Sequence, residues 1–124
     1  WIEWLTDGQL ADAFAPYLTD SANLVVPTLV QYELYKWCLR ERDEAVALSI
    51  VGITEAYLVK PLDTRTALTA AELSISHQLA MADAVVYATA LACSGELITS
   101  DAHFEGLPGV RYWGKGIIDV LPLP

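Results

Sequence analysis

The chain has 124 residues, which is the size of one domain with a single buried core. Hydrophobic residues make up 54% of it and charged residues 19%, a balance that excludes intrinsic disorder. No apolar run approaches the roughly 18 residues of a membrane span. With 16 acidic and 7 basic residues the net charge is −9, so a basic surface cannot be the main source of affinity for a nucleic acid.

The first half of the chain predicts two short apolar strands and three helices. These elements are a helix over 8–18, a strand over 24–27, a helix from Thr28 toward Arg42, a helix from Asp43 to Gly52, and a strand over 57–62. Thr28 and Gln31 have the spacing of a capping box, which predicts that Thr28 opens its helix. Pro61 is compatible with a strand but weakens the case for a central one.

The second half continues the alternation of helices and strands. Asp63 or Thr64 is expected to cap a helix that runs to about Leu79, and Gly95 is expected to stop a helix over 82–94. Apolar strands follow over 97–100 and 110–113. Because no hairpin signal separates the strands, the pattern predicts an α/β sandwich, a short parallel sheet covered by helices.

Five acidic residues have mostly apolar neighbours in the sequence. They are Glu3, Glu33, Asp83, Asp101 and Asp119. Asp83 is the most unusual, because on a helix it shares a face with Leu79, Val86 and Tyr87. A carboxylate in such a stripe is costly to desolvate unless a cation or hydrogen-bond donors meet it. The alternative is a structural acid at the helix start, where the helix dipole favours negative charge.

Glu33 and Asp101 also have structural alternatives. Lys36 lies three residues after Glu33, so an ion pair within the helix is possible there. Asp101 directly follows a predicted strand, where ligands collect in open α/β sheets, although an aspartate that caps the turn is also common. Glu3 and Asp119 are weaker candidates, because each fits a residue that points to water.

Two helix starts and one strand end can bring Glu33, Asp83 and Asp101 to one rim of the sheet. Carboxylate oxygens in such a group suit Mg²⁺ or Mn²⁺. Zinc is disfavoured, because the histidines and cysteines show no ligand spacing. No serine or cysteine lies in an elbow-like turn, and no glycine-rich loop suits a phosphate.

These residues also carry a family likeness. The sequence resembles the PIN-domain ribonucleases, and most closely the VapC-type toxins of bacterial and archaeal toxin–antitoxin pairs. The segments that carry the resemblance are Trp1-Ile2-Glu3-Trp4-Leu5, Val26-Pro27-Thr28 to Glu33-Leu34, Leu79-Ala80-Met81-Ala82-Asp83-Ala84, and Leu97-Ile98-Thr99-Ser100-Asp101 with His103-Phe104. Each motif is weak alone, but the ordered set covers nearly the whole chain.

The resemblance implies a three-layer α/β/α sandwich in one PIN-like domain over 1–124, and a metal-dependent endoribonuclease. It makes Glu33, Asp83 and Asp101 both catalytic residues and ligands of Mg²⁺ or Mn²⁺, with Thr99 and Ser100 as supporting contacts. The family's first strand, and the aspartate that ends it, would precede Trp1, so the domain is expected to be incomplete at its N terminus.

The resemblance further implies a cognate antitoxin as partner, an RNA substrate, a homodimer and a cytoplasmic location without a membrane. Lys36 and Arg40 are candidate phosphate contacts, because they share a helical face with Glu33. Aromatic residues near the N terminus are candidates for packing against the antitoxin: Trp1, Trp4, Phe14, Tyr17, Tyr35 and Trp37. Two other functions stay open, namely a catalytically inactive interaction module and a phosphatase-like hydrolase with a closed pocket.

Overall fold

The computed structural model of the protein describes residues 1, 5, 8, 11–19 and 23–114. Its helices are α1 (Ala11–Thr19), α2 (Thr28–Glu41), α3 (Glu44–Thr54), α4 (Thr64–His77) and α5 (Met81–Ala92). Its strands are β1 (Val25–Pro27), β2 (Leu58–Lys60), β3 (Leu97–Thr99) and β4 (Val110–Tyr112), and one 3-10 turn spans Ala102–Phe104. The predicted α/β class is confirmed. Within the described ranges, every helix is too short or too polar to cross a bilayer.

The strands pair in parallel, as the order of the elements predicts. β1 pairs with β2, with Val26 opposite Val59, and β3 pairs with β4, with Ile98 opposite Arg111. In the described part of the chain the expected single sheet is therefore two separate pairs. Residues of both β1 and β3 line one cavity, so the two strand pairs border the same cavity. The strand expected before Trp1 stays a prediction.

The main hydrophobic core surrounds α5. Tyr87 is only 2% exposed and lies in one cluster with Ala70 of α4 and Phe104 of the 3-10 turn. Its ring meets Phe104 edge-on, with ring centroids 6.1 Å apart, and its hydroxyl donates a hydrogen bond to the carbonyl oxygen of Pro108 at 2.6 Å. These contacts hold α5 against the segment that follows β3.

A second core lies beneath α1. Phe14 and Leu18 are buried there, and Trp1 and Trp113 pack against them from the side. The prediction that Phe14 is free to meet a partner is therefore wrong, because its side chain fills the space between α1 and β3. Tyr17, Tyr35 and Trp37 are partly buried. Trp4, Glu3 and Asp119 lie outside the described residues.

The helix starts show where local sequence rules hold. Asp63 caps α4, since its carboxylate accepts a hydrogen bond from the backbone N–H of Thr66 at 2.8 Å. The predicted capping box at Thr28 is wrong, because the cap residue of α2 is Pro27 and no side chain caps that helix. The amide nitrogen of Gln31 instead donates to Thr54 Oγ1 at 3.0 Å. A tertiary contact between α2 and the end of α3 takes the place of the local cap.

The end of α5 differs from the prediction that Gly95 stops it. Ser94 takes the left-handed conformation with φ +53°, whereas Gly95 has a negative φ. The N–H of Gly95 donates to the carbonyl oxygen of Ala90 at 2.8 Å, which satisfies one of the free carbonyls of the last turn. A residue with a Cβ atom, Ser94, therefore adopts the left-handed conformation that glycine would adopt without steric strain.

We expect Ser94→Gly to stabilise the protein by about 0.5–1 kcal/mol, because glycine adopts a positive φ without the steric penalty of a Cβ atom. Gly95→Ala is the matched control and should cause no loss, since the nearest atom to an added Cβ is the Ala90 carbonyl oxygen at an ordinary 3.6 Å. Urea unfolding followed by circular dichroism measures both. A large loss in Gly95→Ala without a gain in Ser94→Gly would contradict this assignment.

Candidate functional site

The three acids singled out in the sequence line one cavity of about 930 Å³. Glu33 comes from α2, Asp83 from the first turn of α5, and Asp101 from the residue pair that follows β3. Thr99 and Ser100 line the same cavity. The structure therefore brings all five predicted residues to one place, between the strand pairs.

Asp83 and Asp101 also stand close to His103, which the sequence analysis did not predict as a site residue. His103 Nδ1 lies 3.0 Å from Asp101 Oδ1 and 3.7 Å from Asp83 Oδ2. One ligand atom from each of these three residues lies within 4.8 Å of the other two. Glu33 stands outside this trio but close enough for the charge of Asp83 to affect its pKa.

Asp101 is held in place by its own loop. Its backbone N–H donates to Thr99 Oγ1 at 3.0 Å, and its carboxylate accepts from the backbone N–H of His103 at 2.9 Å. The structural alternative for Asp101, a cap of the turn after the strand, is therefore present. It does not exclude a second role, because a carboxylate has more acceptor sites than this cap uses.

Asp83 is not the cap of its helix. That position belongs to Ala80, which makes no side-chain capping bond. Partial burial raises the pKa of Asp83, and the negative charge of Asp101 raises it further, while His103 acts in the opposite direction. The carboxylate therefore stands in an environment with too little positive charge.

Glu33 shows the same imbalance, although the residue as a whole is exposed. Partial desolvation of its carboxyl group raises its pKa, the charge of Asp83 adds to the effect, and Lys36 opposes it. Lys36 makes no ion pair with Glu33 within 4.0 Å; its Nζ instead lies 5.8 Å from the centre of the Tyr32 ring. The alternative of a simple intrahelical ion pair is therefore not what the structure shows.

Lys36 and Arg40 do not line the cavity of the acids. Both line a separate shallow hollow on α2, beside Tyr32 and Leu39. Arg40 Nε contacts Glu41 Oε1 at 3.4 Å, and both side chains are exposed. Their predicted role as phosphate contacts is neither supported nor contradicted by this position.

The donor set fits a hard divalent cation. Carboxylate oxygens from Asp83 and Asp101 stand together, and Glu33 adds a third negative charge to the same cavity. The pKa values of Asp83 and Glu33 are raised first by desolvation and then by a neighbouring carboxylate, and a bound cation would oppose both effects. Mg²⁺ and Mn²⁺ prefer oxygen ligands of this kind.

The family model of the PIN domain matches residues 1–110. The chain belongs to the PIN domain family. This confirms the family likeness seen in the sequence. A comparison with curated proteins found no match.

Solved structures show the same fold at low sequence identity. The PIN chain is similar to a chain of a toxin–antitoxin complex from Klebsiella pneumoniae, with a TM-score of 0.74, 20% identity, and coverage of 92% of this chain and 93% of that one. It is also similar to a chain of the DNA-bound VapBC complex from Salmonella typhimurium, with a TM-score of 0.67, 17% identity, and coverage of 91% and 89%.

His103 is the residue of this PIN domain site that sequence reasoning missed. The spacing of Asp83, Asp101 and His103 along the chain does not match a zinc-binding motif, so the sequence pattern gave no metal-ligand signal for His103. The available signal was local: Asp101 and His103 flank one residue at the start of a turn that follows a strand. The Asp101 carboxylate caps this turn and accepts the backbone N–H of His103, which brings the two side chains together.

Replacing Asp83 with Asn should stabilise the metal-free protein at neutral pH, because the amide carries no charge to desolvate or repel. The folded-state pKa of Asp83 is raised, so its ionisation destabilises the fold above that pKa, and this effect vanishes below the unfolded value of about 3.9. The gain in melting temperature should therefore shrink as the pH falls toward about 4.

Differential scanning calorimetry in EDTA, with Asp12→Asn as control, measures this dependence. Asp12 is an exposed acid on α1 outside the acid cluster, so Asp12→Asn controls for the loss of one negative charge. A gain for Asp83→Asn that grows on acidification would contradict the assigned direction of the pKa.

Proposed function

We propose that this PIN domain is a divalent-metal-dependent endoribonuclease, the toxin of a VapC-type toxin–antitoxin pair. The observation that carries the proposal is the convergence of Glu33, Asp83 and Asp101 on one cavity in a chain of this family. Three acids from distant parts of the sequence are unfavourable for folding unless they serve a cation.

The proposed ligands of Mg²⁺ or Mn²⁺ are Asp83, Asp101 and Glu33. Asp83 and Asp101 stand together, and Glu33 lies outside their group in the same cavity. A bound cation of this class neutralises charge on a phosphate and lowers the pKa of water. Glu33 lines the same cavity but stands outside the trio of Asp83, Asp101 and His103, so its carboxylate is available to a water molecule. We assign to Glu33 the task of orienting, or taking a proton from, the attacking water.

Thr99 and Ser100 are proposed to support the same site. Thr99 Oγ1 accepts the N–H of Asp101, so it fixes the backbone from which that carboxylate projects. Ser100 lies between the two and lines the cavity. These residues act as positioning residues rather than as reacting groups.

An RNA substrate has to overcome the charge of −9 on this chain. The cation supplies part of the attraction, and we assign a further part to Lys36 and Arg40, which lie on the same helix as Glu33. Both side chains are exposed, so they are free to contact the phosphate backbone beyond the cavity.

The proposed partner is an antitoxin protein. The two similar structures belong to toxin–antitoxin complexes, and this shared fold supports the same kind of pairing here. Large apolar side chains on α3 are exposed, among them Leu48 at 54% and Ile53 at 41%, which a protein partner could cover. A homodimer is proposed on the family resemblance alone.

Asp83→Asn should abolish RNA cleavage in Mg²⁺ or Mn²⁺, because the amide keeps the shape of the side chain but loses its charge. A fall of at least about 100-fold in kcat/KM is expected for the loss of a ligand that also sets the charge of the site. The measurement is cleavage of a fluorescent RNA by the full chain, with EDTA and the Asp12→Asn variant as controls.

Unchanged cleavage in Asp83→Asn would refute the assignment. Absence of both metal binding and cleavage in the wild-type protein would instead favour the inactive interaction module. Cleavage of a small phosphomonoester but not of RNA would favour the phosphatase-like alternative.

Replacing both Lys36 and Arg40 with alanine should weaken RNA binding without affecting metal binding. Each lost phosphate contact should reduce the slope of log affinity against log salt by about 0.7 for single-stranded RNA. Titration of RNA at several salt concentrations measures this slope, and Arg65→Ala, an exposed cation on α4, is the control. An unchanged slope in the double variant would place the RNA elsewhere.

A further inference from the structure

His103 brings a nitrogen atom into a site whose other donors are carboxylate oxygens. Its Nδ1 lies 3.0 Å from Asp101 Oδ1 and 3.7 Å from Asp83 Oδ2, although the side chain as a whole is 74% exposed. The imidazole therefore has one nitrogen at the carboxylates and the rest of its ring toward solvent. Exposure also means that little core packing depends on this side chain.

The position of His103 is set by its neighbours in the chain. Its backbone N–H donates to the carboxylate of Asp101 at 2.9 Å, and the next residue, Phe104, is 4% exposed and packs against Tyr87. The imidazole thus projects from a turn that is fixed at both ends. This arrangement reduces the entropy that the side chain loses when it binds a ligand.

The distances within the trio match those between ligands of one small cation. Neighbouring ligand atoms of an octahedral ion with bonds of about 2.1 Å lie about 3.0 Å apart, and opposite ones about 4.2 Å. The nitrogen-to-oxygen distances of 3.0 and 3.7 Å lie between these two values.

A nitrogen donor changes which cation such a site prefers. Both ions take oxygen ligands, but Mg²⁺ keeps its waters, whereas Mn²⁺ is a first-row transition ion and accepts an imidazole nitrogen more readily than Mg²⁺ does. We propose that His103 is a metal-specificity residue, which coordinates the cation and makes the centre prefer Mn²⁺ over Mg²⁺. The inference rests on the proposed function only in that the same acid site holds the cation.

The test compares Mn²⁺ and Mg²⁺ binding by the wild-type chain, by His103→Ala and by His77→Ala, all without a histidine tag. His77, on α4, is the only other histidine of the chain and is also exposed. We expect His103→Ala to lose about tenfold in Mn²⁺ affinity by calorimetry and less than about twofold in Mg²⁺ affinity. His77→Ala should match the wild type for both ions.

Pulsed electron paramagnetic resonance of the Mn²⁺ complex gives a second readout that does not depend on activity. Hyperfine coupling between the Mn²⁺ electron spin and a coordinated imidazole nitrogen is expected in the wild type and in His77→Ala. It should be absent in His103→Ala. If His103 only donates a structural hydrogen bond to Asp101, no such coupling appears, and His103→Ala lowers the affinity for Mn²⁺ and for Mg²⁺ equally. Either of those results overturns the inference.

The outcomes separate this inference from the nuclease proposal. If the wild type binds both ions and cleaves RNA while His103→Ala shows unchanged ion preference, only the role of His103 is wrong. If the wild type binds neither ion, the metal site fails and both proposals fail with it. Circular dichroism of each variant verifies that it is folded before binding is measured.

Discussion

Mutual repulsion among carboxylates is the constraint on which this structure depends. Asp83 and Asp101 share one small space and Glu33 lies close by, so each ionised group raises the free energy of the others. Desolvation raises the pKa values of Asp83 and Glu33, and this repulsion raises them further. The folded state has to keep these groups together against that repulsion, and burial of the hydrophobic core supplies the free energy to do so.

The core does so by fixing the elements that carry the acids rather than the acids themselves. Tyr87 lies one turn beyond Asp83 on α5 and contacts Phe104, which lies three residues after Asp101. Burial of these two aromatic rings contributes a few kcal/mol to the stability of the fold. A contact deep in the core therefore determines the separation of two charges at its edge.

The alternation of helices and strands, and the three acids, were predictable from the sequence because each depends on local pattern. Short apolar runs bounded by turn residues predict strands, and an acid such as Asp83 in an apolar stripe predicts a special role. The cap at Asp63 was predictable for the same reason, since its hydrogen bond joins residues three apart.

The errors arose where a contact distant in sequence replaced a local one. Gln31 bonds to the end of α3 instead of completing a box with Thr28, and Phe14 is covered by strand and loop residues far along the chain. His103 was overlooked because its neighbour Asp83 comes from a different element. Ser94, not Gly95, takes the left-handed conformation, and local sequence rules do not locate the end of a helix to within one residue.

The order of the acids along the chain has a consequence during synthesis. Glu33 emerges from the ribosome first, Asp83 later, and Asp101 last of the three, just before the Phe104 ring that anchors its loop. A nascent polypeptide that has not yet reached Phe104 lacks part of the core that would hold the cluster. Premature termination or proteolysis before Phe104 therefore yields fragments in which the acids cannot be held together.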